Sequence, residues 1–171
     1  MFSGATRSDC GLAQAAMGPF YCPTDQKVYL DTSFFQDLER RFRACDIGSK
    51  TCQFSQAYVI AHEIGHHVQN LLGLLPQVQQ AQRGMVQADC LAGVWANRGQ
   101  AKWKFIEPGD VDSALQTASA IGDDRLQRQS QGYVVPDAFT HGSSAQRTRR
   151  FTIGLKSGTV SSCDTFRTEQ L

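Results

Sequence analysis

The segment AHEIGHHVQ, residues 61–69, carries three histidines and one glutamate within a stretch whose other residues predict a buried helix. Residues 57–61, which read AYVIA, make the preceding turns apolar on nearly every side. Such a helix is stable only when the rest of the chain covers it. Buried histidines in turn need hydrogen-bond partners. The segment therefore predicts a central helix with polar groups set inside the core.

The spacing H-E-x-x-H places His62 and His66 one turn apart on one face of this helix. Two neutral imidazoles so placed can bind one Zn²⁺, and Glu63 beside them can act as the general base of a hydrolase. The alternative is a helix whose histidines only pack in the core. Gly65 weakens a helix, which predicts close approach of another element. His67 is outside the i, i+4 register and is expected to pack against or support the site.

A catalytic zinc site usually has three protein ligands and a water, so a third ligand has to come from another segment. The helix predicted around MVQADCLAGVW, residues 85–95, carries one acid, Asp89. Asp89 is either a direct ligand or a carboxylate that orients a histidine ligand. The competing interpretation is a buried acid tied to a helix end or to an arginine. His141, in FTHGSS, is a candidate for stabilising an oxyanion, and otherwise an exposed histidine.

Length and charge exclude several classes of protein. The chain has 171 residues, which predicts a single domain over residues 1–171. The net charge of +1 gives no basic field for binding nucleic acid. Arg147, Arg149 and Arg150 are expected to form a solvated helix face or to pair with Asp123 and Asp124. The apolar runs are too short to cross a membrane, and we expect any export signal or anchor to have been removed.

Six cysteines without a C-x-x-C pair favour disulfides, and therefore an extracytoplasmic, oxidising location. Cys10 with Cys22, and Cys45 with Cys52, are near enough in sequence to pair, which would leave a long-range bridge between Cys90 and Cys163. Spacing does not decide the pairing. Six buried thiols in a cytosolic protein are the alternative.

The remaining patterns predict an α+β fold, mostly helical with a small β-sheet. Residues 18–31, GPFYCPTDQKVYLD, predict two short strands around a Pro-Thr-Asp turn. Ser55 is the predicted cap of the central helix, which ends near Leu72, and Ser143 with Gln146 predicts a capping box for a last helix. Further helices are predicted for residues 33–44, 77–82, 86–100 and 108–120, and a short strand for residues 132–139.

Several blocks, taken in order, resemble those of the neutral zinc metallopeptidases of bacteria: GPFYCPTDQKVYLD, AYVIAHEIGHHVQNLLG, QADCLAGVWAN, AIGDDRLQ, VVPDAFTHGSSAQR and CDTF. The resemblance covers nearly the whole chain. It implies a zincin-like fold of the gluzincin type, one zinc ion, peptide or protein substrates, and an exported or membrane-anchored location in many members. It also implies that His62 and His66 are zinc ligands and that Glu63 is the catalytic base.

One position departs from the family pattern, which usually has a glutamate four residues before the aspartate. That glutamate is the expected third ligand, but here Met85 holds its place before Asp89, and the segment between Gly73 and Gln87 is shorter. A thioether suits Cu(I) better than Zn²⁺. Either the ligand was lost naturally, leaving a catalytically impaired binding domain, or residues were removed or omitted near residues 84–86 and the complete protein is an ordinary enzyme. Asp89 as a substitute ligand would require the helix to shift.

Overall fold

The computed structural model describes residues 1–14, 18–40, 49–74, 82–136, 139–168 and 171. Four short strands come first: β1 (Ala5–Ser8), β2 (Gly11–Gln14), β3 (Phe20–Cys22) and β4 (Lys27–Tyr29). The helices are α1 (Thr32–Arg40), α2 (Lys50–Leu71), α3 (Gln82–Trp103), α4 (Asp110–Ala120), α5 (Asp123–Gln131) and α6 (Ser144–Ser157), followed by a 3-10 turn (Val160–Cys163). The architecture is mostly helical with two small sheets, in agreement with an α+β class.

Both sheets are two-stranded antiparallel hairpins. β3 pairs with β4 with Phe20 opposite Tyr29, which confirms the hairpin predicted around the Pro-Thr-Asp turn, and the two rings stack with centroids 4.8 Å apart. β1 pairs with β2, a hairpin that the sequence did not predict. A disulfide between Cys10 and Cys22 joins the two hairpins.

The central helix α2 begins earlier than predicted. Its N-cap is Ser49, whose side chain accepts a hydrogen bond from the backbone N–H of Cys52. Ser55, the predicted cap, lies inside the helix, fully buried, with its hydroxyl 2.7 Å from that of Ser113 on α4. The prediction was wrong because a serine within an apolar helix can bond to a neighbouring helix instead of capping its own.

The core lies where α2, α3, α4 and α6 meet, and small residues set the spacing of its helices. A Cβ added at Gly154 on α6 would lie 1.9 Å from the carbonyl oxygen of Cys90 on α3, and one at Gly93 would lie 2.1 Å from that of Phe151. At Gly65 an added Cβ would lie 3.0 Å from the Ala88 carbonyl oxygen. This confirms the close approach predicted there and brings α3 against the histidine-bearing helix.

Other predictions are met in part. α6 has the predicted Ser143–Gln146 capping box and ends at Gly158. Residues 133–136 form no strand, and α5 is a helix that the sequence did not predict, because its nine residues are almost all polar. The helix predicted for residues 77–82 lies outside the described residues except at Gln82.

The predicted Cys10–Cys22 and Cys90–Cys163 disulfides are both present. Cys52 is also disulfide-bonded, while Cys45, its predicted partner, lies outside the described residues. None of the helices in the described ranges combines the length and the apolar composition that a membrane span requires.

Candidate metal and active site

The centre of α2 presents His62, Glu63 and His66 in a buried setting. Their exposed fractions are only 4%, 7% and 8%. The two imidazole rings lie edge to face, with centroids 4.8 Å apart, as expected for side chains one helical turn apart. His67 packs instead towards β3, with its Nδ1 3.0 Å from the Tyr21 hydroxyl, so it fixes the hairpin over the helix.

His62 is held by a carboxylate from α3. Its Nδ1 lies 2.7 Å from Oδ1 of Asp89. The same carboxylate accepts hydrogen bonds from the Tyr58 hydroxyl at 2.6 Å and from two nitrogens of Arg147 at 3.1 Å. Because this ionised, acceptor-only group faces Nδ1, the ring carries its proton there, and Nε2 keeps a free lone pair.

His66 is held in the same manner by an amide. Its Nδ1 lies 2.7 Å from Oε1 of Gln69, an atom that can only accept. The proton therefore sits on Nδ1, and Nε2 is again the atom with a free lone pair. Neither Nε2 forms a hydrogen bond with any residue in the described part of the chain.

Both histidines are held neutral. Burial lowers the pKa of His62, although the neighbouring Asp89 carboxylate opposes that change. Burial, and then the proximity of His62, lower the pKa of His66 to about 3. Neutral imidazoles with unprotonated Nε2 atoms are the form that binds zinc, so the pair fits two of the metal's positions.

The described residues do not supply a third position. No group of three His, Cys, Asp or Glu side chains arranged to hold a metal ion occurs among them. Asp89 is fully buried, and its oxygens are already engaged by Tyr58, His62 and Arg147. Of the roles that the sequence left open for Asp89, these contacts favour the carboxylate that orients a histidine ligand.

Glu63 lies beside a cleft of about 120 Å³ whose lining includes Pro19, His62, His141 and Arg147. Burial raises the pKa of the Glu63 carboxyl to about 8, against the opposing charge of Arg147 and a backbone hydrogen bond from Tyr21. A carboxyl with a pKa in this range can take up and release a proton near neutral pH.

His141 reaches the same cleft from the loop before α6. Its side chain is 48% exposed, and its Nδ1 lies 3.4 Å from Oδ1 of Asp123 and 2.8 Å from the Thr140 hydroxyl. The other Asp123 oxygen accepts hydrogen bonds from the backbone N–H groups of His141 and Gly142. Although burial raises the pKa of Asp123, its hydrogen bonds with His141 lower it overall. Asp123 therefore fixes both the loop and the ring.

The expectation for the arginine cluster was wrong for two of its members. Arg147 and Arg150 are buried, with exposed fractions of 3% and 4%. Arg147 pairs with Asp89 instead of Asp123 or Asp124. The sequence also gave no role to Tyr58, Gln69 or Gln87. The i, i+3 spacing of His66 and Gln69 was a signal that could have identified Gln69.

Comparison with known proteins places these residues in a family. The family described as "Putative neutral zinc metallopeptidase" matches residues 1–166. The "Uncharacterized protein YpfJ" of Escherichia coli K12 is 49% identical over 179 residues, which cover 97% of this chain and 60% of that protein. The "Uncharacterized protein Rv2575" of Mycobacterium tuberculosis H37Rv is 44% identical over 188 residues, which cover 100% of this chain and 62% of that protein.

This chain thus spans about 60% of the length of these curated relatives. Both alignments are longer than the chain's 171 residues, so the relatives carry residues that it lacks. No solved structure matches the chain.

Proposed function

The chain belongs to the neutral zinc metallopeptidase family, and from that premise we propose that it is the catalytic domain of a zinc-dependent endopeptidase with a zincin-like fold. His62 and His66 hold the metal, and Glu63 is the general base. The observation that carries this assignment is the pair of fixed tautomers. Asp89 and Gln69 each accept a hydrogen bond from Nδ1–H of one histidine, so both Nε2 atoms keep a free lone pair on the helix that carries Glu63.

When bound, zinc would polarise the scissile carbonyl and acidify the attacking water. Glu63 would accept a proton from that water and return it to the leaving amine. Its place at the cleft beside His62 supports this role, because a general base must lie within reach of the water that it deprotonates. Asp89 orients His62 throughout and does not itself exchange a proton.

His141 and Asp123 form a second pair at the cleft. With Nδ1 turned towards the Asp123 carboxylate, His141 in its imidazolium form, in which both ring nitrogens carry a proton, would donate from Nε2 to the oxyanion that develops on the substrate carbonyl. An extended peptide or protein substrate would lie along β3, which pairs only with β4 among the described strands, by adding a strand to its open edge.

Whether this chain is itself active depends on its third ligand. Met85, on the first turn of α3, holds the position of the expected glutamate. Among the described residues, no acidic side chain joins His62 and His66 as a third metal ligand. This favours a second candidate, a catalytically impaired domain that binds peptides without cleaving them. The other explanation is a shortened segment before α3 in an otherwise ordinary enzyme, in keeping with relatives that align over more residues than this chain has.

The disulfides Cys10–Cys22 and Cys90–Cys163 support an extracytoplasmic location for the domain, in the periplasm or at an exported, membrane-anchored protein. Reducing compartments do not keep such bridges. The formal net charge of +1 gives no support to a nucleic-acid partner.

Zinc binding and proteolysis together test the assignment. Glu63→Gln should leave zinc stoichiometry, measured by elemental analysis and chelator competition, unchanged. Hydrolysis of a denatured protein substrate should fall by about 10²–10⁴-fold. His66→Ala should lose the metal, and the exposed Glu107→Gln is the matched control. Full residual activity in Glu63→Gln would rule out Glu63 as the base.

Met85→Glu separates the two candidates. If Met85 stands where a zinc ligand was lost, the new carboxylate should raise zinc affinity and restore hydrolysis, while Met85→Gln should do neither. The chain could instead bind zinc weakly, fail to cleave, and gain nothing from Met85→Glu. The loss of a ligand at position 85 would then not explain the inactivity, and the segment before α3 would be the part that differs from an active enzyme.

A further inference from the structure

A row of hydrogen bonds through two buried glutamine amides, the glutamine relay, runs from His66 to the C-terminal 3-10 turn. Gln69 on α2 and Gln87 on α3 are 0% and 5% exposed. Nε2 of Gln69 donates to the backbone carbonyl of Gly84 at 2.6 Å and to Oε1 of Gln87 at 2.9 Å. Nε2 of Gln87 donates to the backbone carbonyl of Cys163 at 2.9 Å. The proposed function uses Gln69 only through its contact with His66 and does not use Gln87.

The two backbone carbonyls fix the direction of every hydrogen bond in this relay. A carbonyl oxygen only accepts, so both amides must turn their NH₂ groups towards Gly84 and Cys163. Oε1 of Gln69 is then the atom left facing His66, 2.7 Å from Nδ1. Reversing either amide would place oxygen against oxygen in the buried interior, where unpaired polar groups are strongly disfavoured.

The end of the relay is itself anchored. Cys163 is joined to Cys90 on α3 by a disulfide. The residues after it are tied to the start of α3, because Arg83 donates to the carbonyls of Thr165 and Thr168, and the Thr165 hydroxyl donates to the carbonyl of Arg83. The accepting carbonyl of Cys163 is therefore held in place relative to Gln87.

We propose that Gln69 and Gln87 are positioning residues that hold His66 in its Nδ1–H tautomer, with the Cys163 carbonyl as the fixed end of the relay. The tautomer keeps Nε2 free for the metal, as Asp89 does for His62. The link to zinc rests on the proposed function, whereas the tautomer is a property of the metal-free protein.

The tautomer can be measured directly by long-range ¹H–¹⁵N NMR on metal-free protein labelled at its histidine nitrogens. His66 in the wild type should show a protonated Nδ1 and an unprotonated Nε2. Gln69→Leu removes the acceptor and should release that preference. Gln56→Leu, on the same helix and half-buried, should behave as the wild type.

Zinc affinity gives a second measurement. Gln69→Leu should weaken zinc binding by about 10–100-fold, the usual effect of removing a group that orients a ligand. Gln87→Leu should weaken it less, because Gln69 keeps the Gly84 acceptor. Gln56→Leu should leave it unchanged.

An Nε2–H tautomer in the wild type would overturn the inference whether or not zinc binds, and so would a Gln69→Leu variant with wild-type tautomer and affinity. A wild type with the expected tautomer but no zinc would instead count against the proposed function alone.

Discussion

At the scale of single residues, the site depends on one carboxylate with several partners. Burial raises the pKa of Asp89, but the charge of Arg147 and the contact with His62 outweigh that effect and lower the pKa below its ordinary value. Asp89 therefore stays ionised although it is fully buried. A buried charge of this kind persists only when it is paired and hydrogen-bonded. His62 is one of the partners of the Asp89 carboxylate, and this contact also fixes the orientation of the His62 ring.

For Glu63, in contrast, burial outweighs the favourable charge of Arg147 and raises the pKa. This predicts that the stability of the fold depends on pH. The pKa of Glu63 in the folded, metal-free protein is about 8, above the ordinary value of 4.5, so the folded state binds the proton more tightly than the unfolded state. The stability that this group contributes is fully present below about pH 4.5 and is lost as the pH rises through 8. Glu63→Gln, which does not titrate, should gain stability relative to the wild type over that range.

Urea denaturation of both proteins in the presence of a chelator at pH 5, 7 and 9 measures the difference in free energy of unfolding. We expect it to grow with pH to about a few kcal/mol. The exposed Glu107→Gln should track the wild type. Parallel curves for Glu63→Gln and wild type would mean that Glu63 is not desolvated in the folded chain.

At the scale of elements, the crossing of α3 and α6 decides which polar groups meet. Gly93 and Gly154 let the two backbones approach until a Cβ at Gly154 would lie 1.9 Å from the Cys90 carbonyl oxygen. That approach brings Arg147 of α6 to Asp89 of α3, and Asp89 in turn contacts His62 of α2. The glycines thus act on the site without touching it.

Gly154→Ala tests this crossing. On an isolated helix the change would stabilise by about 1 kcal/mol. Here the new methyl group has no space, and overpacking of this kind costs about 1–3 kcal/mol or more, so we expect a net loss of stability in thermal or urea denaturation. Lys156→Ala, exposed on the same helix, is the control. An unchanged or raised stability in Gly154→Ala would show that the helices can separate freely.

At the scale of the whole molecule, the Cys90–Cys163 disulfide ties the C-terminal turn to α3 over a sequence separation of 73 residues. The turn carries the carbonyl that ends the glutamine relay. Cross-links over long loops restrict the unfolded chain most, so this bridge should matter more than Cys10–Cys22, whose separation is 12 residues.

Replacing both Cys90 and Cys163 by alanine should lower the free energy of unfolding by about 4 kcal/mol, against about 3 kcal/mol for the Cys10/Cys22 double variant, if loop entropy dominates. Urea denaturation of the three proteins under oxidising conditions measures both differences. Equal stability of the wild type and the Cys90/Cys163 variant would mean that the other contacts of residues 160–168 suffice to hold the turn.

The sequence by itself determined the features that depend on residues a few positions apart. The one-turn spacing of His62 and His66, the Ser143–Gln146 capping box and the β3–β4 hairpin follow from bonds that span two to four residues or a short turn. Local patterns specify such contacts directly, since the geometry of a helix or a tight turn is the same in any protein. The presence of Met85 where the family pattern has a glutamate was also visible in the sequence.

Only the tertiary structure decided how the site is supported. His62 and Asp89 are 27 residues apart, Tyr58 and Arg147 are 89 apart, and Gln87 and Cys163 are 76 apart. No periodicity links such residues, because their meeting depends on how closely the helices pack. The same reason explains why Ser55 was mistaken for a cap and Arg147 for a solvated residue. The Ser55 side chain is suited to a helix end and the Arg147 side chain to water, but each is buried against a partner on another helix.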